Sequence, residues 1–296
     1  MINNQAPQVS IFCLVYNHRD YIERAIESFL MQKTNFNFEI VIGEDYSTDG
    51  SREIVFGYAK KYPDLIRLIT SDQNVGMKKN GHRTKMALKG KYMAMCEGDD
   101  YWTDPLKLQK QVDFLETNPD YSLCFHNAIV LQEDRTPKTL KYFCTSDQKD
   151  TTTTADVINK WYIPTASIVV RREYIENLPD WFKDVYNGDW GIQLIVSTKG
   201  KIKYINELMS IYRRHLSEGS LHADPSINQE FVLMQKIKLI NYFKNEYKGR
   251  FDEEADTKLR SLRRELSATE NKSFKMYGFR KVLRWICKKL DNANFL

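Results

Sequence analysis

Short apolar runs that alternate with helical patterns over the first hundred residues constrain the fold most. Residues 9–15 (VSIFCLV) and 38–45 (FEIVIGED) are rich in β-branched and aliphatic side chains, which is typical of strands buried on both faces. Two further strands are predicted over 65–71 and 91–96. Helix-capping residues and helical spacing of apolar residues separate these runs. Because strands that alternate with helices form right-handed βαβ units, the sequence predicts an α/β fold with a parallel sheet.

The second half of the chain has a less regular pattern. The elements predicted there are strands over 121–131, 165–170 and 201–212, a helix over 188–200, and helix from about residue 226 onward. We predict one α/β domain over residues 1–220, with one half over about 1–104 and the other over about 105–220. A helical C-terminal extension is predicted over 221–296.

The composition is that of a globular protein with a mild positive charge of +5. Hydrophobic residues make up 42% and charged residues 28% of the 296 residues, which excludes general disorder. The five cysteines form no Cys-x-x-Cys pair, so we expect reduced thiols in a reducing compartment. We expect neither a signal peptide nor a membrane span, because no matching apolar segment is present. The expected location is the cytoplasm.

Three carboxylates within four residues follow the predicted strand at 91–96. Glu97, Asp99 and Asp100 repel one another unless a cation joins them. Mg²⁺ and Mn²⁺ prefer oxygen ligands and bind through one or two carboxylates together with substrate phosphates. Gly98, between the acids, would let the backbone approach a diphosphate closely. A solvated acidic turn is the alternative, but the position after a buried strand favours a metal site.

Glu44 and Asp45 end the second predicted strand. In open α/β sheets ligands bind at the carboxyl ends of the strands. Asp49 suits the cap of the following helix, which leaves Asp45 free to accept a hydrogen bond from a nucleobase. Tyr16, after the first strand, could stack on the same base. The alternative is that these are ordinary turn, core or surface residues.

Three segments carry these residues: PQVSIFCLVYNHRDYIERAIESFLMQ, FEIVIGEDYSTDGS and GKYMAMCEGDDYWTDPLKLQKQ. Together, over roughly residues 7–216, they resemble glycosyltransferase family 2, especially bacterial members with a CEGDDYW version of the DxD motif. The resemblance implies a GT-A fold, a Rossmann-like and mostly parallel sheet flanked by helices. It also implies metal-dependent inverting transfer of a hexosyl or hexosaminyl group from a nucleoside-diphosphate sugar, most often a UDP-sugar, with Mn²⁺ or Mg²⁺ as cofactor.

The resemblance assigns base-binding roles to the first two strand ends. Tyr16 and Asn17 match the family's Tyr-Asn pair, whose tyrosine packs on the base, and Asp45 holds the base-binding place. Glu44 departs from the family's aspartate. The family's Arg-Asn segment before the fourth strand is not clearly matched. Phosphate or ribose contacts there are assigned to Arg83, with its neighbours His82 and Lys85 as alternatives.

The resemblance also assigns roles in the acid cluster. Glu97 would face the ribose, beside Gly98, and it departs from the family's aspartate by one methylene. Asp99 and Asp100 would meet the metal and the diphosphate. His215 matches a histidine that some relatives use as a further metal ligand, although a lone histidine is often structural.

Inverting transfer needs a base for the acceptor hydroxyl. Asp189, in Asn-Gly-Asp-Trp at a predicted helix start, matches the place where the family often has this base. A helix cap is the alternative.

Trp102 and Trp190 are candidates to line the acceptor pocket, because sugars stack on indole rings, and His126 is a weaker candidate. Burial in the core is the alternative for both tryptophans.

The C-terminal residues 272–289 contain seven Lys or Arg and no acid, interleaved with apolar residues. Such a basic amphipathic helix suits the inner face of a plasma membrane, and this would agree with a glycan or lipid-linked acceptor. Packing on the domain or homodimer formation are alternatives.

Residues 217–220 are a candidate loop over the donor. Arg213 and Arg214 are candidates for diphosphate contacts or for solvated charges.

Other functional classes fit less well. An inactive nucleotide-sugar-binding relative would be indicated by substitution of Asp99, Asp100 or Asp189, and all three acids are present. A nucleotidyltransferase would need a glycine-rich basic loop after the first strand, where this chain has Tyr-Asn-His-Arg-Asp. No nucleic-acid-binding motif is present, so we expect no nucleic-acid partner.

Overall fold

A computed structural model describes residues 6–133, 139–186, 188–215 and 227–270. The chain divides into two compact units, the first over residues 1–184 and 188–224 and the second over 185–187 and 225–296.

The first part of the first unit is a parallel sheet with helical crossovers. Its strands lie in the order β3-β2-β1-β4. The strands are β1 (Val9–Val15), β2 (Phe38–Glu44), β3 (Ile66–Ile69) and β4 (Tyr92–Met95), and the helices are α1 (Arg19–Leu30), α2 (Ser51–Lys61) and α3 (Met77–Met86). β1 and β2 are almost entirely buried, as their uninterrupted apolar runs predicted.

The rest of the first unit extends the same sheet with mixed strand directions. The strands are β5 (Tyr101–Trp102), β6 (Tyr121–Gln132), β7 (Thr139–Tyr142), β8 (Thr151–Thr152), β9 (Val169–Arg171) and β10 (Lys201–Arg214), and the helices are α4 (Lys107–Thr117), α5 (Thr154–Asn159) and α6 (Gly188–Ser197). β9 runs antiparallel to both β4 and β6, whereas β6 and β10 are parallel. The α/β GT-A-like fold is confirmed, but the central sheet is mixed rather than mostly parallel.

The strand predicted over 165–170 is shorter in the structure. Residues Thr165–Ser167 form a 3₁₀ turn, and β9 begins only at Val169. The turn follows Pro164, whose carbonyl accepts a hydrogen bond from the Ser167 N–H. Because this carbonyl bonds within the turn, the first half of the apolar run does not join a sheet ladder.

The second unit is helical in its described part. Helix α7 (Gln229–Glu246) begins after Asn228, whose side chain accepts a hydrogen bond from the Phe231 N–H. A further helix covers 252–270. Gly249, with φ of +82°, lies in the interruption between the two helices.

Several predictions fall on residues that the structure does not describe. They are the basic helix over 272–289 and the loop over 217–220. Within the described part of the chain, no helix is both long and apolar enough to cross a membrane. Cys13, Cys96, Cys124 and Cys144 are buried free thiols.

Candidate active site

The carboxyl edge of the sheet brings together the turns that follow four strands. Tyr16 and Asn17 follow β1, Asp45 follows β2, the acid cluster follows β4, and His215 follows β10. In a sheet of this kind, that edge is where ligands bind.

A tight turn at Gly98 places the acid cluster against β1. The Gly98 N–H donates to the Leu14 carbonyl at 3.0 Å. A Cβ atom at this position would lie 2.9 Å from His18 Nδ1 and 3.1 Å from the Leu14 carbonyl oxygen. Only glycine therefore fits at position 98 without movement of its neighbours.

Asp99 interacts with two histidines, through a contact with His215 and through its charge with His18. His215 Nε2 is 3.2 Å from Asp99 Oδ2, and the His215 side chain is only 3% exposed. Burial by itself would raise the pKa of Asp99, but the charge interactions with His18 and His215 bring it below its ordinary value. The imidazole of His18 is also buried, and its Nδ1 has no hydrogen-bond partner. The sequence analysis did not select His18, although its position just after the Tyr-Asn pair was a usable signal.

Asp100 is a buried carboxylate with one oxygen left without a partner. Its Oδ1 accepts the Arg213 backbone N–H at 2.8 Å, while Oδ2 has no hydrogen-bond partner. Burial and the neighbouring Asp99 charge raise its pKa well above the ordinary value. A buried, unpartnered carboxylate oxygen beside a second carboxylate fits a divalent cation, which would supply the missing interaction.

Protein groups alone do not complete a metal cage. Across residues 6–133, 139–186, 188–215 and 227–270, no three histidine, cysteine or carboxylate side chains are placed to hold a metal ion together.

Arg213 supports the acid cluster from β10. Its guanidinium donates to the Asp99 carbonyl at 2.9 Å, and its backbone N–H donates to Asp100. The side chain is only 5% exposed. The structure thus places Arg213 as a support of the acid turn, and not as a solvated charge.

Asp45 is held by backbone donors. Its two oxygens accept the N–H groups of Val75 and Gly76, each at 2.9 Å. Arg83 lies 3.6 Å from Asp45 Oδ1 and donates to the Glu44 carbonyl at 2.7 Å. These contacts tie β2 to the start of α3. Arg83 and Asp45 therefore lie side by side, whereas the resemblance assigned Asp45 to the base and Arg83 to phosphate or ribose contacts.

The neighbours of Arg83 have other positions. Lys85 donates to the backbone carbonyls of Ile175 and Glu176, away from the acid cluster, and His82 is exposed. The structure therefore favours Arg83 among the three basic candidates.

Asn17 closes the β1 turn in a left-handed conformation, with φ of 54°. Its side-chain oxygen accepts the Thr48 N–H at 3.0 Å, and its Nδ2 is buried without a partner. Tyr16, beside it, is half-buried. The pair lies at the same edge as Asp45, because β1 and β2 are parallel neighbours that end in register.

Asp189 lies in the first turn of α6. Its Oδ2 accepts hydrogen bonds from the Trp161 indole N–H at 2.9 Å and from the Thr165 hydroxyl at 3.2 Å. Burial raises the pKa of Asp189 in spite of these hydrogen bonds, which act in the opposite direction. The electrostatic influence of Asp189 also reaches Glu97, whose pKa is raised to about 8 by burial, by Asp99 and by Asp189.

Trp102 and Trp190 do not line an acceptor pocket in this structure. Their side chains are 1% and 2% exposed, and their indole N–H groups donate to the carbonyls of Ala166 and Val157. Both rings are core residues because every polar and apolar surface of the indole is already used inside the fold. His126 is also fully buried, with its Nδ1 2.8 Å from the Asn127 carbonyl.

Sequence reasoning missed Trp161 and Thr165. Residues 160–164 have no regular secondary structure, so no periodic pattern marked Trp161. Its contact with Asp189 spans 28 residues of sequence.

Comparison with known proteins identifies the family of this chain. The model of the Glycosyl transferase family 2 family matches residues 10–179. An uncharacterized protein of Mycobacterium tuberculosis (strain H37Rv) is 36% identical over 223 residues, which are 75% of this chain and 63% of that protein. The chain thus matches less than two thirds of the length of this relative. The UDP-Glc:alpha-D-GlcNAc-diphosphoundecaprenol beta-1,3-glucosyltransferase WfaP of Escherichia coli is 28% identical over 77% of this chain and 86% of its own length.

Two solved structures share the fold. Staphylococcus aureus TarS residues 1–349, in complex with UDP, matches with a TM-score of 0.63 at 17% identity, over 86% of this chain and 70% of that one. The mannosyltransferase PcManGT of Pyrobaculum calidifontis, in complex with GDP-Man and Mn²⁺, matches with a TM-score of 0.59 at 15% identity, over 95% and 81%. Since the family model covers more than half of a chain whose strand ends carry these residues, the protein belongs to glycosyltransferase family 2.

Proposed function

We propose that the protein transfers a sugar, with inversion, from a nucleoside-diphosphate donor to a hydroxyl of a glycan or lipid-linked acceptor in bacterial surface polysaccharide synthesis. The observation that carries the proposal is the unpartnered oxygen of buried Asp100 beside Asp99, on the same sheet edge as Asp45. Asp189 acts electrostatically on Glu97 of the same acid cluster. We infer a UDP-sugar as donor, and membership of the CEGDDYW group of bacterial members. WfaP, by its name, uses UDP-Glc and a diphosphoundecaprenol-linked acceptor, which supports a UDP-sugar donor and a lipid-linked acceptor.

The donor nucleotide would bind across the ends of β1 and β2. Asp45 keeps acceptor capacity for a base N–H, because each carboxylate oxygen has two lone pairs and only one backbone bond apiece is given to it here. Tyr16 would cover the base and Arg83 would contribute positive charge. Glu97, at the start of the acid turn, would face the ribose.

Asp99 and Asp100 would hold a divalent metal, Mn²⁺ or Mg²⁺, together with donor phosphates. His215 would be a further ligand only after its contact with Asp99 breaks, because no three such side chains of the described residues are placed together for a metal. When bound, such an ion supplies positive charge that stabilises the leaving diphosphate. The Mn²⁺ in PcManGT supports the use of a divalent ion by a protein of this fold. The buried position of Asp100 excludes water from one ligand oxygen and keeps that oxygen available.

Asp189 would act as the base. The acceptor hydroxyl oxygen forms a bond to the anomeric carbon, the bond from that carbon to the diphosphate oxygen breaks, and the hydroxyl proton passes to Asp189. The raised pKa of Asp189 suits a base that must take a proton at neutral pH.

The location and assembly of the protein stay proposals. We infer action at the cytoplasmic face of a membrane, with peripheral contact through 272–289, because a lipid-linked acceptor would lie there. A homodimer through the C-terminal helices is the alternative use of that segment.

The test is equilibrium binding and hydrolysis of UDP-glucose, UDP-N-acetylglucosamine and GDP-mannose, each with Mn²⁺, with Mg²⁺ and with EDTA. We expect one donor to bind only with a divalent ion, and Asp100→Asn to abolish that binding. Asp113→Asn, at an exposed acid of α4, is the matched control and should bind as the unmodified protein does. Metal-independent or absent binding of every donor would contradict the proposal and favour an inactive relative.

A further inference from the structure

Trp161 connects an irregular segment to the first turn of α6. Its indole N–H donates to Asp189 Oδ2 at 2.9 Å, and the side chain is half-buried. An indole N–H can only donate, and it does not ionise. The Trp161 indole N–H therefore stabilises the ionised form of Asp189 and holds the carboxylate oxygens of Asp189 in one orientation.

A second donor meets the same oxygen. The Thr165 hydroxyl lies 3.2 Å from Asp189 Oδ2, and it comes from the 3₁₀ turn Thr165–Ser167. Two donors from one loop thus converge on a single carboxylate oxygen. The convergence fixes the rotation of the carboxyl group about its own bond, which neither donor would do alone.

The indole is itself held in place by other rings. Phe143 meets Trp161 edge-on, with centroids 5.3 Å apart and an interplanar angle of 76°. Phe143 also meets Tyr212 of β10 edge-on, at 5.6 Å and 84°. Edge-to-face contacts of this kind are favourable beyond the area they bury. The three rings all keep some exposed surface. Trp161 contacts Asp189 directly, and Asp189 acts electrostatically on Tyr212.

We propose that Trp161, with Thr165, is the positioning residue of Asp189: the indole N–H holds Oδ2 so that the carboxylate faces the acceptor hydroxyl. The proposal rests on the proposed role of Asp189 as the base. The partly exposed aromatic group of Phe143, Trp161 and Tyr212 forms the adjoining wall, on which the apolar face of an acceptor sugar would lie.

The test compares Trp161→Phe with the unmodified enzyme in transfer assays across pH. Phenylalanine keeps an aromatic ring and removes the donor. Because a hydrogen bond to the carboxylate lowers its pKa, loss of the bond raises the pKa of Asp189. A base must be deprotonated to act, so the acidic limb of the kcat profile moves to higher pH, by about half to one unit, and kcat near neutral pH falls by about tenfold. Donor affinity stays unchanged.

Other titrating groups near Asp189 are Glu97 of the acid turn and Tyr212 of β10. Both are intact in Trp161→Phe, so their titration is common to the two profiles. Thr165→Val removes the longer hydrogen bond and should move the limb in the same direction by less.

Trp190→Phe is the matched control. It removes an indole N–H one residue from Asp189, but that N–H donates to the Val157 carbonyl. It should lower the melting temperature and leave the position of the acidic limb unchanged. A limb that moves equally in Trp190→Phe and Trp161→Phe, or a Trp161→Phe enzyme with unchanged kcat and limb, would overturn the proposal. Asp189→Asn tests the role of Asp189 separately from the role of Trp161. If the Asp189→Asn enzyme transfers sugar at the normal rate, Asp189 is not the base, whatever the result for Trp161→Phe.

Discussion

The half of the first unit that precedes residue 105 and the half that follows it hold their functional side chains in different ways. In the earlier half, Asp45 accepts backbone N–H groups of Val75 and Gly76, and Asn17 accepts that of Thr48. In the later half, Asp189 is held by the side chains of Trp161 and Thr165. Backbone donors tolerate substitution of their own side chains, whereas side-chain donors do not. The hydrogen bonds that hold Asp45 and Asn17 therefore depend less on neighbouring side chains than those that hold Asp189.

The largest expected effect on activity comes from a substitution in the acid cluster of the earlier half. Asp100→Asn keeps the shape of the side chain and removes its charge, so metal-dependent transfer should fall by between about a hundredfold and a thousandfold. Since burial raises the pKa of Asp100, the ionised carboxylate costs stability above its unfolded pKa, and the variant should melt at the same or a higher temperature without ligand. Activity assays and melting curves with and without Mn²⁺ measure both effects. A lower melting temperature combined with normal transfer would contradict the assigned role.

The next effect concerns Lys107, at the start of the later half. Its amine is fully buried, has no hydrogen-bond partner and lies 4.2 Å from the centre of the Trp102 ring. Burial lowers its pKa to about 7. Between this pH and about 10.4, the unfolded chain binds a proton that the folded chain does not, so stability rises with pH. Lys107→Met should raise the free energy of unfolding by about 2–3 kcal/mol at pH 7 or below, and should change it little at pH 10.

Melting curves at pH 6, 8 and 10 check this prediction. Lys60→Met, at an exposed lysine of α2, is the control and should change none of the curves. Equal stabilisation at every pH would show that packing, and not charge, is responsible.

A smaller effect tests how tightly β1 and the acid turn fit. Gly98→Ala places a Cβ 2.9 Å from His18 Nδ1, so we expect a loss of about 1–2 kcal/mol of stability and weaker donor binding. Gly57→Ala provides a contrast, because nothing lies within 4 Å of its Cβ position in α2. That change should stabilise by about 0.5–1 kcal/mol, since alanine favours helix. Chemical denaturation of both variants measures the difference, and equal effects would refute the close fit.

The smallest effect concerns base binding. Asp45→Asn replaces one of two acceptor oxygens and the charge that faces Arg83, so the donor KM should rise by about tenfold with little change in kcat. Asp64→Asn, at an exposed acid before β3, should leave KM unchanged. A fall in kcat at constant KM would move Asp45 from donor binding to the reacting centre.

Local patterns predicted the earlier half well. The apolar runs of β1 and β2 and the acids after them occur within a few residues of one another, so both the strands and their ligand edge could be predicted from the sequence. The capping of α1 could not be predicted in this way. The His18 N–H donates to the Ser51 hydroxyl and the Arg19 N–H to Asp49, more than 25 residues away in sequence.

By itself, the sequence determined the family, the α/β class, the acid cluster and the candidate base, because each depends on residues that are close along the chain. The tertiary structure decided which side chains serve the site and which fill the core. Trp102 and Trp190 became buried, whereas Trp161 met Asp189. A tryptophan in the core and a tryptophan beside Asp189 are the same residue type in the sequence. The role of each depends on the strand directions of β9, β6 and β10 and on the packing they impose, and these are long-range properties that no local pattern carries.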